Sequence, residues 1–227
     1  MHKGTIWITR SYPAAQKSAQ AWQLAGFQTY INPVIRIGIP EQMPKPLEPE
    51  AILLITSQNA LRMLEIFTDR RDWTVMTVGD ASADYARQIG FVDVLSASGN
   101  GQDLLNLVKK IFKPKDGRLF IHASGGKIRV DLAQRLTKLG YQARREIYYN
   151  NEGRRKLDVS AAPPLTHIAL YSPMAARLVR PYAGRVNRAR TISISENTDR
   201  ALGERYENRR IIATHPSEEA MIHALSA

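Results

Sequence analysis

Arg10 and Lys127 are the cations best situated to do chemistry, because each closes a short apolar run where the chain turns toward a helix-like stretch. The segments are Ile6-Trp7-Ile8-Thr9-Arg10-Ser11 and Ile121-His122-Ala123-Ser124-Gly125-Gly126-Lys127. A guanidinium grips a carboxylate through paired hydrogen bonds, whereas an ammonium acts as a mobile point charge. Hydroxyls and amides gather at the equivalent turns: Thr56-Ser57-Gln58-Asn59, Gly79-Asp80-Ala81-Ser82, Tyr171-Ser172-Pro173, Ser195-Glu196-Asn197-Thr198 and Thr214-His215-Pro216-Ser217. At any one junction such residues are good helix caps. As a set they supply many neutral donors and several cations, which suits a ligand with many carboxylates. Arg129, read as early in the next helix, is a further cation of the same kind.

Other chemistries lack their residues. Ser124-Gly125-Gly126-Lys127 does not complete the spacing of a phosphate loop, so no nucleotide hydrolysis is expected. The five histidines stand apart with no His-Glu-x-x-His pattern, and neither a metal nor a cofactor is expected. His122 and His215 end apolar runs and read as capping or packed residues. There is no Gly-x-Ser-x-Gly elbow, and the absence of cysteine removes disulfides and thiolate nucleophiles.

The formal charge of +11 and a pI near 10.0 point to an anionic partner. Charge clusters such as Arg154-Arg155-Lys156 would also suit nucleic acid, but no reader motif or interleaved aromatics accompany them, and no nucleic-acid partner is expected. No apolar run approaches the ~18 to 20 residues of a membrane span, and Met1-His2-Lys3-Gly4 leads into a strand-like run without a signal-peptide stretch. A cytoplasmic protein without a membrane partner is therefore expected.

The elements that must position these residues are legible as alternation. Apolar runs at Ile6–Thr9, Ile52–Ile55, Val75–Val78, Val92–Leu95, Leu119–Ile121, His167–Leu170, Thr191–Ile194 and Ile211–Ala213 are mostly followed by helix-like stretches. That succession predicts parallel strands with helical crossovers. Leu24-Ala25-Gly26-Phe27, Gln88-Ile89-Gly90-Phe91 and Lys138-Leu139-Gly140-Tyr141 place Gly where a helix ends left-handed. At the first helix Ser11 is expected to cap, Pro13 to sit in the opening turn, and Ala15, Ala19 and Trp22 to share the buried face.

Two extended segments, Phe27–Pro40 and Tyr141–Asn151, are not followed by a helix; Glu41–Glu50 and Glu152–Pro164 after them read as linkers. Pairing the strands before the first linker with those after the second gives five strands and five. The predicted architecture is α/β, with two flavodoxin-like parallel-sheet domains: residues 1–36 with 151–227 form one, and residues 41–146 are inserted as the other. Residues 36–41 and 146–151 are the connecting strands, a two-stranded extended linker. A single division near Asp116-Gly117 is the competing layout, and it leaves the helix-less strands unexplained.

A scattered set of fragments keeps a characteristic order and spacing: Ile8-Thr9-Arg10, Leu24-Ala25-Gly26, Pro33, Ile55-Thr56-Ser57-Gln58-Asn59-Ala60, Thr77-Val78-Gly79-Asp80-Ala81-Ser82-Ala83 and Gly101-Gln102-Asp103-Leu104-Leu105. The set continues through Gly125-Gly126-Lys127 with Arg129 and Leu132, Glu146-Ile147-Tyr148, Tyr171-Ser172-Pro173, and Ser195-Glu196 with Thr198 and Ala201-Leu202. In these fragments the chain resembles, over nearly its whole length, the uroporphyrinogen-III synthase family. The resemblance implies two α/β domains, a monomer, and the linear tetrapyrrole hydroxymethylbilane, with eight carboxylates, as substrate. It implies closure of that chain with ring D inverted, in the cleft of a two-lobed molecule. Arg10, Ser57, Lys127, Ser172 and Thr198 are then the expected binders, and Tyr148 the expected acid. Two departures stand out: Leu178 occupies a position where some members carry a tyrosine, and Ser195 one where many carry glycine. A hinged two-domain protein that binds a small anion without catalysis would share the fold and is the alternative function.

Overall fold

Thr5–Ile8 is buried at all four positions, as a strand covered on both faces must be. The computed structural model describes residues 2–154, 156–160, 162–182, 186, 189–203 and 210–225. The chain begins β1 (Thr5–Ile8), α1 (Ala14–Leu24), β2 (Gln28–Ile31) and β3 (Ile35–Gly38). It continues through β4 (Ile52–Ile55), α2 (Gln58–Phe67), β5 (Thr74–Thr77), α3 (Asp80–Gln88), β6 (Val94–Ser96), α4 (Gly101–Ile111), β7 (Leu119–Gly125), α5 (Leu132–Lys138) and β8 (Gln142–Gly153). It ends with β9 (His167–Leu170), α6 (Pro173–Val179), β10 (Arg190–Ser193), α7 (Glu196–Arg200), β11 (Arg210–Ile212) and α8 (Glu218–Ala224).

The chain divides into two compact units, Met1–Arg36 with Glu152–Ala227, and Ile37–Asn151. The first holds a sheet of order β11-β10-β9-β1-β2 whose pairings are all parallel. The second holds the order β3-β8-β7-β4-β5-β6, parallel from β8 to β6. The α/β class with mostly parallel sheets is the one predicted. Where five and five strands were expected, the sheets have five and six, because Phe27–Pro40 is broken into β2 and β3. Pro33 stands in the break and has no N–H to continue a ladder, while the Asn32 carbonyl is taken by Trp7 Nε1 at 2.7 Å.

Each sheet is covered on both faces by its own apolar layers. Trp7, Ile168 and Leu170 anchor one side of the first sheet, and Ile6, Ile8 and Trp22 the other. In the second, Leu53, Ile55 and Val75 face one layer, and Ile52, Leu54 and Met76 the opposite one. The three expected helix stops form as read: Gly26, Gly90 and Gly140 have φ of 92, 103 and 87°. In each the following aromatic N–H reaches five residues back, as Phe27 does to the Trp22 carbonyl at 3.1 Å.

Some local expectations are corrected. The Ser11 side chain does not cap α1, whose N-cap is Pro13; the Ser11 carbonyl instead accepts from Ala15 N at 3.0 Å. The sixth strand starts at Val94, and Val92 is 88% exposed. The Glu152–Pro164 stretch is not a bare linker, since Glu152 and Gly153 complete β8 and Leu157 and Val159 are buried. Asp116-Gly117 ends a short 3-10 turn inside the second unit. No helix among the described residues is long and apolar enough to cross a membrane.

Candidate active site

In open parallel sheets, ligands bind beyond the carboxyl ends of the strands where the strand order reverses. In the second unit that reversal lies at β4 and β7, which pair from Ile52↔Phe120 to Ile55↔Ala123. Ser57 follows β4, and Lys127 and Arg129 follow β7. A cavity of about 570 Å³ is lined there by Ser57, Asn100, Gln102, Lys127, Arg129 and Tyr149, among others. Two of the expected binders, Ser57 and Lys127, are thus brought together. Ser57 also caps α2, accepting from Asn59 N at 3.2 Å. Arg129 lies in the loop ahead of α5, not in the helix, because Asp131 caps that helix by accepting from Gln134 N at 3.1 Å. Arg135 donates to Gln102 at 3.1 Å and adds a third cation to the rim.

Tyr148 and Tyr149 are separated by a bulge. Ser124 pairs with Ile147 and Gly125 with Tyr149, so Tyr148 is the extra residue of β8. Tyr148 is 2% exposed, with its ring centroid 5.8 Å from that of Phe67. It lines a separate cavity of about 370 Å³ with Lys45, Phe67, Arg70 and Trp73. Burial, and then the Glu146 charge, push its phenol above the ordinary tyrosine range, so it is a protonated donor at any physiological pH. Tyr149, the tyrosine on the Ser57–Lys127 cavity, went unread in the sequence because strand alternation carries no mark of a bulge.

In the first unit the order reverses at β1 and β9, and Arg10 and Ser172 follow these two strands. The Arg10 guanidinium donates to Ser18 Oγ at 3.2 Å, lies 3.9 Å from Glu218 and stacks 4.6 Å from the Tyr171 ring centroid. Glu218 in turn accepts from Tyr171 Oη at 2.5 Å and Ser18 Oγ at 3.0 Å, while Trp22 Nε1 donates to Tyr171 Oη at 3.0 Å. Burial, followed by the Glu218 charge, raises the Tyr171 pKa. This network fixes Arg10 at the strand end. It was invisible in the sequence because Glu218 lies 200 residues from Ser18 and belongs to no motif.

Ser172 caps α6, accepting from Ala175 N at 3.1 Å. Thr198 is 1% exposed, and its hydroxyl lies 3.2 Å from that of Ser195, the N-cap of α7. Leu178, at the first departure from the family pattern, approaches Gly153 so closely that a Cβ there would lie 2.8 Å from Leu178 Cδ2. Of the basic cluster, Arg154 is tied to Asn32 Oδ1 at 2.8 Å and the Pro33 carbonyl at 3.1 Å, Lys156 is exposed, and Arg155 lies outside the described residues.

His122 does not end its strand. Pairing with β8 carries β7 on to Gly125, leaving His122 fully buried with Nε2 3.4 Å from Thr56 Oγ1. Burial lowers its pKa to about 4; Asp131 opposes this and Arg145 adds to it, so the imidazole is neutral at pH 7.

A family model described as "Uroporphyrinogen-III synthase HemD" matches residues 16–223. Among solved structures, uroporphyrinogen-III synthetase from Helicobacter pylori aligns over 100% of this chain and 99% of its own, with 18% identity and a TM-score of 0.62. A mutant uroporphyrinogen III synthase from Thermus thermophilus aligns over 98% and 97%, with 13% identity and a TM-score of 0.48. No curated protein sequence matches the chain.

Proposed function

The chain belongs to the uroporphyrinogen-III synthase family, and we infer from this how its strand-end residues act. The protein is an enzyme of tetrapyrrole biosynthesis that closes hydroxymethylbilane to uroporphyrinogen III. The observation that carries the reading is the family match over residues 16–223. The cations and hydroxyls gathered at the reversal points of the two sheets support it.

In this reading Lys127 and Ser57 take substrate carboxylates in the second unit, and Arg10, Ser172 and Thr198 do so in the first. Capping does not remove Ser57 or Ser172 from this role, because a hydroxyl that accepts from a backbone N–H still has its own proton to donate. Hydroxide leaves the ring A hydroxymethyl group, taking a proton from an acid and departing as water; Tyr148 is the proposed acid. The resulting azafulvenium is attacked by the substituted carbon of ring D. The spiro intermediate fragments and recloses through ring D's other α carbon, which gives up its proton to restore the pyrrole and balance the proton supplied by the acid, leaving ring D inverted.

Without enzyme the same substrate closes to the uninverted isomer, so selection of geometry is the catalytic task. Holding reacting carbons in a near-attack arrangement supplies up to roughly 7 to 11 kcal/mol in favourable intramolecular cases. Carboxylates far from the bond change provide the binding energy that imposes the arrangement. The protein works as a cytoplasmic monomer without cofactor, and its excess positive charge draws the polyanion in.

The test is to supply freshly made hydroxymethylbilane and separate the products by chromatography. Isomer III is expected in excess of the spontaneous product. Isomer I alone would leave a binding module without catalysis.

A further inference from the structure

Arg145 lies on β8, half-buried, and among the described residues it has no carboxylate partner. Its guanidinium is directed entirely at the loop made by the end of β7 and the turn that leaves it. Nε donates to Ser124 Oγ at 2.8 Å, and Nη2 donates to the carbonyls of Gly125 at 2.6 Å and Gly126 at 2.7 Å. A half-buried guanidinium gives up water for these three neutral acceptors, and charge-assisted bonds of this kind are strong enough to hold the backbone that carries them. The rest of the loop is fixed with equal care. Gly126 N donates to the Tyr149 carbonyl at 2.9 Å, so both its amide and its carbonyl are held. A Cβ on Gly125 would lie 2.7 Å from the Tyr149 ring, and one on Gly126 would collide with Asn150 Oδ1. The next residue is Lys127, exposed on the rim of the Ser57–Tyr149 cavity.

We propose that Arg145 is a positioning residue: it holds residues 124–126 in the shape that presents Lys127 to a substrate carboxylate. The proposal rests on the reading of that cavity as a carboxylate site. Arginine suits the task because its planar fork reaches three acceptors from one fixed plane, whereas a lysine ammonium keeps the charge and loses the fork. The loop can then accept a large anion without spending binding energy on its own ordering.

The experiment compares Arg145→Lys, Lys127→Ala and the double variant of the full chain in steady-state conversion of hydroxymethylbilane, with thermal melting as the check on folding. Each single variant is expected to raise KM on the order of tenfold with kcat nearly unchanged. The double variant is expected to match Lys127→Ala alone, since Arg145 has nothing left to position. A KM for Arg145→Lys equal to the parent's, or two effects that multiply in the double variant, overturns the proposal and leaves the cavity's role intact. An unchanged KM for Lys127→Ala removes the carboxylate site itself, and the proposal with it. Should Arg145→Lys melt below the assay temperature, Ser124→Ala deletes one acceptor of the clamp. That variant is expected to raise KM in the same direction by a smaller factor, and no rise overturns the proposal.

Discussion

Adjacent residues take unlike tasks here because backbone geometry, not residue type, decides which way a side chain faces. Tyr148 and Tyr149 are both buried and flank the register shift at Ser124/Gly125, and although they pack in one apolar layer they line different cavities. Arg10 is likewise defined by its surroundings: a cation stacked on Tyr171 and steadied by Ser18 and Glu218 is more ordered than a lone surface arginine, and loses less entropy on gripping a carboxylate. His122 makes a prediction about stability. Its folded pKa of about 4 lies below the usual 6.5, so between those values the unfolded chain binds a proton that the folded one refuses. The contribution is fully present above pH 6.5 and is lost as the pH falls toward 4, by roughly 3 kcal/mol at most. Stability measured by denaturant across that range should fall more steeply for the parent than for His122→Gln. Parallel curves for the two proteins would show that the imidazole is not the group responsible.

At the scale of the element, what the sequence discloses is what local chemistry determines. The three glycine stops were readable because only a left-handed residue can end those helices while burying the next aromatic, and Gly26, Gly90 and Gly140 do so. Ser57 and Ser172 were readable as strand-end hydroxyls for a related reason, since a helix start needs an acceptor there. The division of Phe27–Pro40 between two sheets was not, because partner choice depends on residues far away. The hold of Arg145 on Gly125 and Gly126 was equally hidden, being made across a strand pair. That contact yields an element-level prediction. Gly125→Ala must push its new methyl into the Tyr149 ring, costing about 1 to 3 kcal/mol of stability. Tyr149→Ala empties the space, so the double variant should be more stable than the sum of the two single losses implies. Equilibrium denaturation of the four proteins decides it, and strictly additive losses would mean that the ring and the glycine do not meet.

For the whole molecule the instructive feature is that Ile37–Asn151 interrupts, along the sequence, the segments that form the other unit. Ile37–Asn151 contains both apolar layers of its own sheet: Leu53, Ile55 and Val75 belong to one and Ile52, Leu54 and Met76 to the other, and among the described residues neither layer draws on any outside that span. The flanking pieces, Met1–Arg36 and Glu152–Ala227, likewise fill their two layers from within, with Trp7 and Ile168 in one and Ile6 and Trp22 in the other. A segment that buries its own core and pairs its own strands has what a domain needs for independent stability. We therefore propose that residues 37–151 form a true domain, and expect that segment, expressed alone, to unfold in a single cooperative transition with amide protection along β4 and β7. The flanking pieces joined by a short glycine-serine bridge in place of residues 37–151 should behave the same way, because β1 then meets β9 across a shorter loop, and closing a shorter loop costs less entropy. A segment 37–151 that shows no cooperative melt and no protected amides would mean that its strands hold only while the outer chain is attached.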